Sequence, residues 1–111
     1  VSAVYHNRLR IGMKLDADPT VAYAKGGYRG RLYYKDLEID SPYNTYRRPG
    51  LPPGPIGNAG VESIRAALYP DESSRALFFV ARGDGRHEFS ATLKEHNAAI
   101  RRVRAANGTR P

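Results

Sequence analysis

The stretch from Pro42 to Gly57 constrains this chain more than any other, because Pro42, Pro49, Pro52, Pro53 and Pro55 stand in it with Gly50, Gly54 and Gly57. Each proline fixes φ and removes a backbone donor, so neither a helix nor an interior strand runs through. Regular structure must therefore fall on either side of a long loop. Tyr43, Tyr46, Leu51 and Ile56 inside the stretch favour an ordered loop, since a linker is poorer in large apolar side chains. The 111 residues allow one modest core. With no Cys, disulfides, thiolate catalysis and cysteine-based metal sites are excluded, and the redox compartment is left open. No apolar run reaches the length of a membrane span, and no stretch reads as a signal peptide.

Before the loop, Val1, Val4, Tyr5 and Leu9 have the spacing of one helix face, stopped by Gly12. No capping residue precedes Val1, which predicts a helix begun further upstream and a chain whose upstream part is missing. Asp18-Pro19 predicts a short helix over Thr20 to Ala24, broken by Gly26-Gly27, and Lys35 to Glu38 a further turn. After the loop, Asn58 is a candidate cap for a helix with Val61, Ile64, Ala67 and Leu68 on one face, halted by Pro70. Leu77 to Arg82, Gly83-Asp84-Gly85 and Arg86 to Phe89 read as strand, tight turn and returning strand. Thr92 with Glu95 matches a capping box, and Leu93, Ile100 and Val103 predict the buried stripe of a last helix, with His96 and Asn97 near it. The expected fold is α+β, helices packed on a small antiparallel sheet or hairpin with a long Pro-rich ordered loop. Residues 1–106 are expected to form a single portion of a domain, and 107–111 a frayed tail.

The net charge is +7, and since only Lys14, Lys25, Lys35 and Lys94 are lysines, most of the 18 cations are Arg, suited to forked contacts with carboxylates or phosphates. Tyr23, Tyr28, Tyr33, Tyr34, Tyr43 and Tyr46 gather in the loop-rich half, where they suit stacking on sugars or bases and equally suit core packing. Two acidic sets, Asp16 with Asp18 and Asp36 with Glu38 and Asp40, have the makings of glycoside or hard-metal chemistry, but Asp18 reads equally as a helix cap and the second set as a solvated face. His87 and His96 are candidates for one polar site or for two structural roles. EF-hand, HExxH, GxSxG and P-loop patterns are absent, and no Lys stands in a pyridoxal motif, so neither a metal nor a cofactor is expected. The charges are scattered and no RNP, KH or zinc pattern occurs. Nucleic acid is therefore not an expected partner, although a basic nucleic-acid module remains the alternative from another class.

Asn7 to Leu15, Asp18-Pro19-Thr20-Val21, Asp40 to Tyr46, and Gly50 to Ile56, followed by Leu77 to Ala81, His87 to Ser90 and Thr92 with Glu95-His96-Asn97, resemble the endolytic murein transglycosylase (YceG-like) family. The likeness runs from about Val1 to Ile100, with Ala59 and Arg86 as small departures. It implies a lyase of the bacterial cell envelope that cleaves glycan strands of peptidoglycan internally after N-acetylmuramic acid, leaving 1,6-anhydro ends. It further implies an enzyme on the outer face of the inner membrane, anchored by an N-terminal helix outside this chain, so that this segment itself makes no membrane contact. Cell-wall synthesis proteins are allowed as partners. In that chemistry one carboxyl group protonates the leaving oxygen and then, as carboxylate, assists attack by the sugar's own 6-hydroxyl. The family Glu is expected upstream of Val1, and neither Glu38, Glu62, Glu72, Glu88 nor Glu95 has its context. No catalytic residue is therefore assigned, and the chain alone is expected to be inactive, or in practice a non-catalytic wall-binding piece. The resemblance makes Asn7, Asp18, Tyr43, Asn44, Tyr46, His87, Phe89 and Asn97 the substrate-binding candidates. Asn44 and Asn97 are equally readable as amides closing a turn or a helix contact.

Overall fold

The computed structural model describes residues 1–27 and 30–108. Tyr28, one of the clustered tyrosines, and Thr109 to Pro111 of the expected tail lie outside them. The chain forms two compact units, Val1–Asn7 with Tyr69–Pro111, and Arg8–Leu68. The first helix, α1 (Ser2–Arg10), contributes residues to both.

In the first unit β1 (Phe78–Ala81) and β2 (His87–Ser90) form the expected antiparallel hairpin, with Phe78 opposite Ser90 and Ala81 opposite His87. The turn works because Gly83 and Gly85 adopt φ of 91° and 87°, conformations that cost glycine little, while the Asp84 carboxylate accepts the Arg86 N–H at 3.0 Å. Helix α4 (Leu93–Gly108) packs against both strands. Half of the expected capping box is present: the Glu95 N–H donates to Thr92 Oγ1 at 3.2 Å, but the Glu95 carboxylate accepts the N–H of Ala91, one residue before Thr92, at 3.3 Å. The helix runs to Gly108. Its buried stripe differs from the expected one. Leu93 is exposed, Ala99 is buried, and the His96 ring stacks on Phe78 with centroids 5.1 Å apart. From α1 this unit buries Ala3, Val4 and Asn7, whereas Val1, expected on that face, is exposed. An apolar-only count misses Asn7. Its amide donates to the Ser74 carbonyl at 3.1 Å and to the Ala76 carbonyl at 2.9 Å, which ties the helix to the segment entering β1.

In the second unit α1 ends in a glycine-dependent cap. Gly12 has φ 73°, its N–H donates to the Leu9 carbonyl, and the Met13 N–H donates to the Arg8 carbonyl. The Arg8 guanidinium is buried and donates to the Leu15 carbonyl, which pins the chain as it leaves the helix. Helix α2 (Asp18–Ala24) then starts with Pro19 in its first turn. Its N-cap is Ala17, which makes no side-chain cap bond, so Asp18 is not the cap that its place before Pro19 suggested. The turn expected near Lys35 is a 3-10 helix, Tyr34–Glu38, and it packs on α2. Helix α3 (Val61–Leu68) forms where its periodicity predicts, yet each of its residues is exposed. Amphipathic spacing specifies an apolar face but not what covers it.

Candidate functional site

The second unit holds a cleft of about 360 Å³ lined by Asp18, Arg31, Leu32, Tyr33, Tyr34, Leu37 and Tyr46. Three layers of local structure build it. The first is a hydroxyl contact between Thr20 and Thr45, both buried, with Oγ1 atoms 2.9 Å apart. The Ala17 N–H donates to Thr45 Oγ1 at 2.9 Å, Thr20 Oγ1 donates to the Ala17 carbonyl at 2.7 Å, and the Asp16 N–H reaches the Thr45 carbonyl at 3.3 Å. These bonds fasten the loop around Thr45 to the start of α2. Asp18 and Tyr46 each follow a fastened residue, and the Tyr46 phenol donates to Asp18 Oδ1.

The second layer is Asn44, which is 0% exposed. Its Nδ2 donates to the carbonyls of Leu37 at 2.9 Å and Ile39 at 2.8 Å, and its Oδ1 accepts the Tyr46 N–H at 3.0 Å. One side chain thus fixes a cleft-lining residue of the 3-10 helix and the backbone of Tyr46. Asn44 makes turn-closing bonds and is not among the side chains that line the cleft. Asp36 supplies the third layer. Its buried carboxylate accepts the Tyr33 N–H at 2.8 Å and pairs with the Lys25 ammonium at 3.0 Å. The Tyr33 N–H and then Lys25 hold its pKa below the ordinary 3.8. Asp16, beside α2, moves the other way. Burial pushes its carboxyl up from 3.8 against the opposing charges of Arg8 and Lys14, and its φ of 48° is unusual for a residue other than glycine.

The open surface of the cleft is aromatic and charged. Tyr33 and Tyr34 are exposed, Tyr34 at 92%. The Arg31 guanidinium carbon lies 5.5 Å from the Tyr33 ring centroid, a cation–π geometry that restrains the side chain. Asp18 accepts the phenol through Oδ1, and its Oδ2 has no protein donor among the described residues. Of the sequence candidates, Asp18 and Tyr46 line this cleft. Tyr43, in the same unit, packs on Tyr23 with centroids 4.8 Å apart, and its hydroxyl lies where a side chain on Gly54 of the Pro-rich loop would meet it at ordinary contact distance. Asn7, His87, Phe89 and Asn97 belong to the other unit. There His87 and Phe89 share a hairpin face with Phe79, at centroid distances of 5.6 Å from Phe79 to His87 and 6.4 Å from Phe79 to Phe89. Tyr5 meets the same Phe79 ring edge-on at 5.8 Å, and Phe89 is 50% exposed. Asn97 is exposed on α4 and Asn7 is the clip already described. Sequence reasoning missed Arg31. The signal available was a guanidinium two residues before a Tyr pair in a Gly-flanked run, Gly30-Arg31-Leu32-Tyr33-Tyr34.

An α+β chain with an aromatic-walled, carboxylate-bearing cleft is of a class suited to polyhydroxylated ligands, since sugar C–H faces lie on rings while hydroxyl groups bond to acids and phenols. The comparisons are narrower. The chain belongs to the YceG-like family, whose profile matches residues 1–102. It is 54% identical over 99 residues to an endolytic murein transglycosylase of Bacillus subtilis, a match covering 89% of this chain and 27% of that protein. A Streptococcus pneumoniae protein of the same name is 26% identical over 105 residues, covering 90% of this chain and 19% of its own length. The chain therefore spans less than a third of these relatives. A crystal structure of a YceG-like protein from Listeria monocytogenes superposes with a TM-score of 0.80 at 52% identity, covering 87% of this chain and 31% of that one. Among the described residues no helix is long and apolar enough to cross a membrane, and no three metal-ligating side chains cluster.

Proposed function

We propose that this chain is part of a lytic murein transglycosylase of the bacterial cell envelope and that the Asp18–Tyr46 cleft binds the glycan strand of peptidoglycan. The observation that carries the reading is the 54% identity to a protein named for that activity. A cleft whose chemistry suits sugars supports it further. In this reading Tyr33 and Tyr34 offer ring faces to the sugars. Asp18, oriented by the Tyr46 phenol, accepts sugar hydroxyls through Oδ2. His87 and Phe89 are proposed as a second aromatic contact for glycan on the hairpin. The general acid of the family is placed upstream of this segment, so the residues named here bind and orient substrate rather than protonate it. The enzyme is proposed to act on the extracytoplasmic face of the inner membrane, with cell-wall synthesis proteins as neighbours.

Co-sedimentation with purified peptidoglycan tests this reading. The chain is expected to pellet with the wall and to be released by excess chitotetraose, and the double variant Asp18→Asn, Tyr46→Phe is expected to bind several-fold more weakly. Binding to a single-stranded oligonucleotide at 200 mM salt, with none to the wall, would overturn the proposal in favour of the nucleic-acid reading.

A further inference from the structure

Within the second unit the cations differ in how they are matched. Lys25 pairs with Asp36 at 3.0 Å and Arg48 with Asp40 at 3.2 Å. Arg31, on the wall of the cleft, has no carboxylate within pairing distance among the described residues. The acid that shares the cleft, Asp18, is engaged by Tyr46 instead. Arg31 is held over Tyr33, and a restrained guanidinium loses less freedom when it forms paired hydrogen bonds to an anion. A neutral sugar gains little from such a group, whereas a carboxylate gains charge-assisted, two-pronged contacts.

We propose that Arg31 makes this cleft selective for carboxylate-bearing units of the glycan over uncharged sugars of equal length, a specificity that rests on the glycan reading above. In a murein strand every second sugar is N-acetylmuramic acid, which carries a lactyl carboxyl group, either free or extended into a peptide with carboxylates of its own. N-acetylglucosamine carries none. Arg31 thereby gives the cleft a way to register the strand, with the acidic sugar on the Arg31 side and the neutral one against Asp18. An acidic substituent beside Asp18 would meet a like charge.

Titration of the chain with three ligands of equal length tests this: uncharged chitotetraose, a peptide-stripped glycan tetrasaccharide with free lactyl carboxylates, and the same tetrasaccharide bearing stem peptides. Hydrogen bonds to charged groups contribute enough for a preference of about tenfold. The wild-type chain is expected to prefer at least one acidic ligand by about that factor. Preference for the stripped strand identifies the lactyl carboxylate as the recognised group, and preference confined to the third ligand identifies the stem. Arg31→Gln is expected to abolish the preference, with a far-ultraviolet circular dichroism spectrum like that of wild type showing that the variant is folded. Arg48→Gln, outside the cleft lining, is expected to retain it. Equal wild-type affinity for all three ligands, or a preference that survives Arg31→Gln, overturns the proposal and leaves the glycan reading standing. Failure of all three to bind the wild type overturns both.

Discussion

Replacing Asn44 by Ala strands three backbone groups at once, the carbonyls of Leu37 and Ile39 and the N–H of Tyr46. A buried polar group left without its partner costs about 1–3 kcal/mol. All three bonds lie in partly buried surroundings, so water reaches some of the freed atoms and the lower half of that range applies. The sum is roughly 3–5 kcal/mol, a large part of the 5–15 kcal/mol that holds a small domain together. With a urea slope of about 1–3 kcal/mol/M, the unfolding midpoint should fall by on the order of 2 M. Urea titration followed by far-ultraviolet circular dichroism measures it. Asn97→Ala is the matched control: that amide is exposed on α4, and Ala favours a helix, so its unfolding free energy should stay within about 0.5 kcal/mol of wild type. If Asn44→Ala moved the midpoint no further than Asn97→Ala at unchanged slope, the amide would not be the tie described.

Three further outcomes follow from the charges and the chemistry. Asp36 has a folded pKa below 3.8, so its stabilisation is complete above that value and is lost as pH falls through the lowered one; Asp36→Asn should melt below wild type at pH 7, with the gap closing under about pH 3.8 in thermal scans. Asp16 has a folded pKa above 3.8, so its charged form is disfavoured in the fold; Asp16→Asn, which tolerates the φ of 48°, should raise Tm at pH 7, and this gain should vanish as pH drops below 3.8. Incubated with purified peptidoglycan, the chain alone should release no anhydro-ended muropeptides, because a positioned acid contributes about 10²–10⁴ in rate; mass spectrometry of the soluble products would reveal any, and finding them would place the acid within this segment.

Local rules with a single solution were legible in the sequence. The Gly83-Asp84-Gly85 turn, the Thr92–Glu95 cap and the Pro19 start of α2 each follow from backbone conformations or donors that few residues supply. What escaped were polar side chains buried to do structural work. Asn7 and Arg8 lie on the hidden face of α1, and a count of apolar positions selected Val1 instead. Asn44 was legible as important but not as ligand contact or tie, because an amide serves either role and only its three partners decide. Arg31 was invisible for a related reason: it forms no ion pair among the described residues although Asp18 lines the same cleft, and sequence records neighbours along the chain only.

The contact between Thr20 and Thr45 has a direction. A carbonyl only accepts, so the single hydrogen of the Thr20 hydroxyl goes to Ala17, and the 2.9 Å contact must be filled by the hydrogen of Thr45, whose oxygen in turn takes the Ala17 amide. The bonds form a closed, one-way circuit that leaves Ala17 by its N–H and returns by its C=O. In such a loop each link polarises the next, and removing either hydroxyl opens the whole ring. Neither threonine has a hydrogen to spare for a sugar. In the proposed reading, contacts to a polar ligand therefore fall to the cleft-lining Asp18, Tyr46 and Arg31, while the ring holds the residues next to the first two in register.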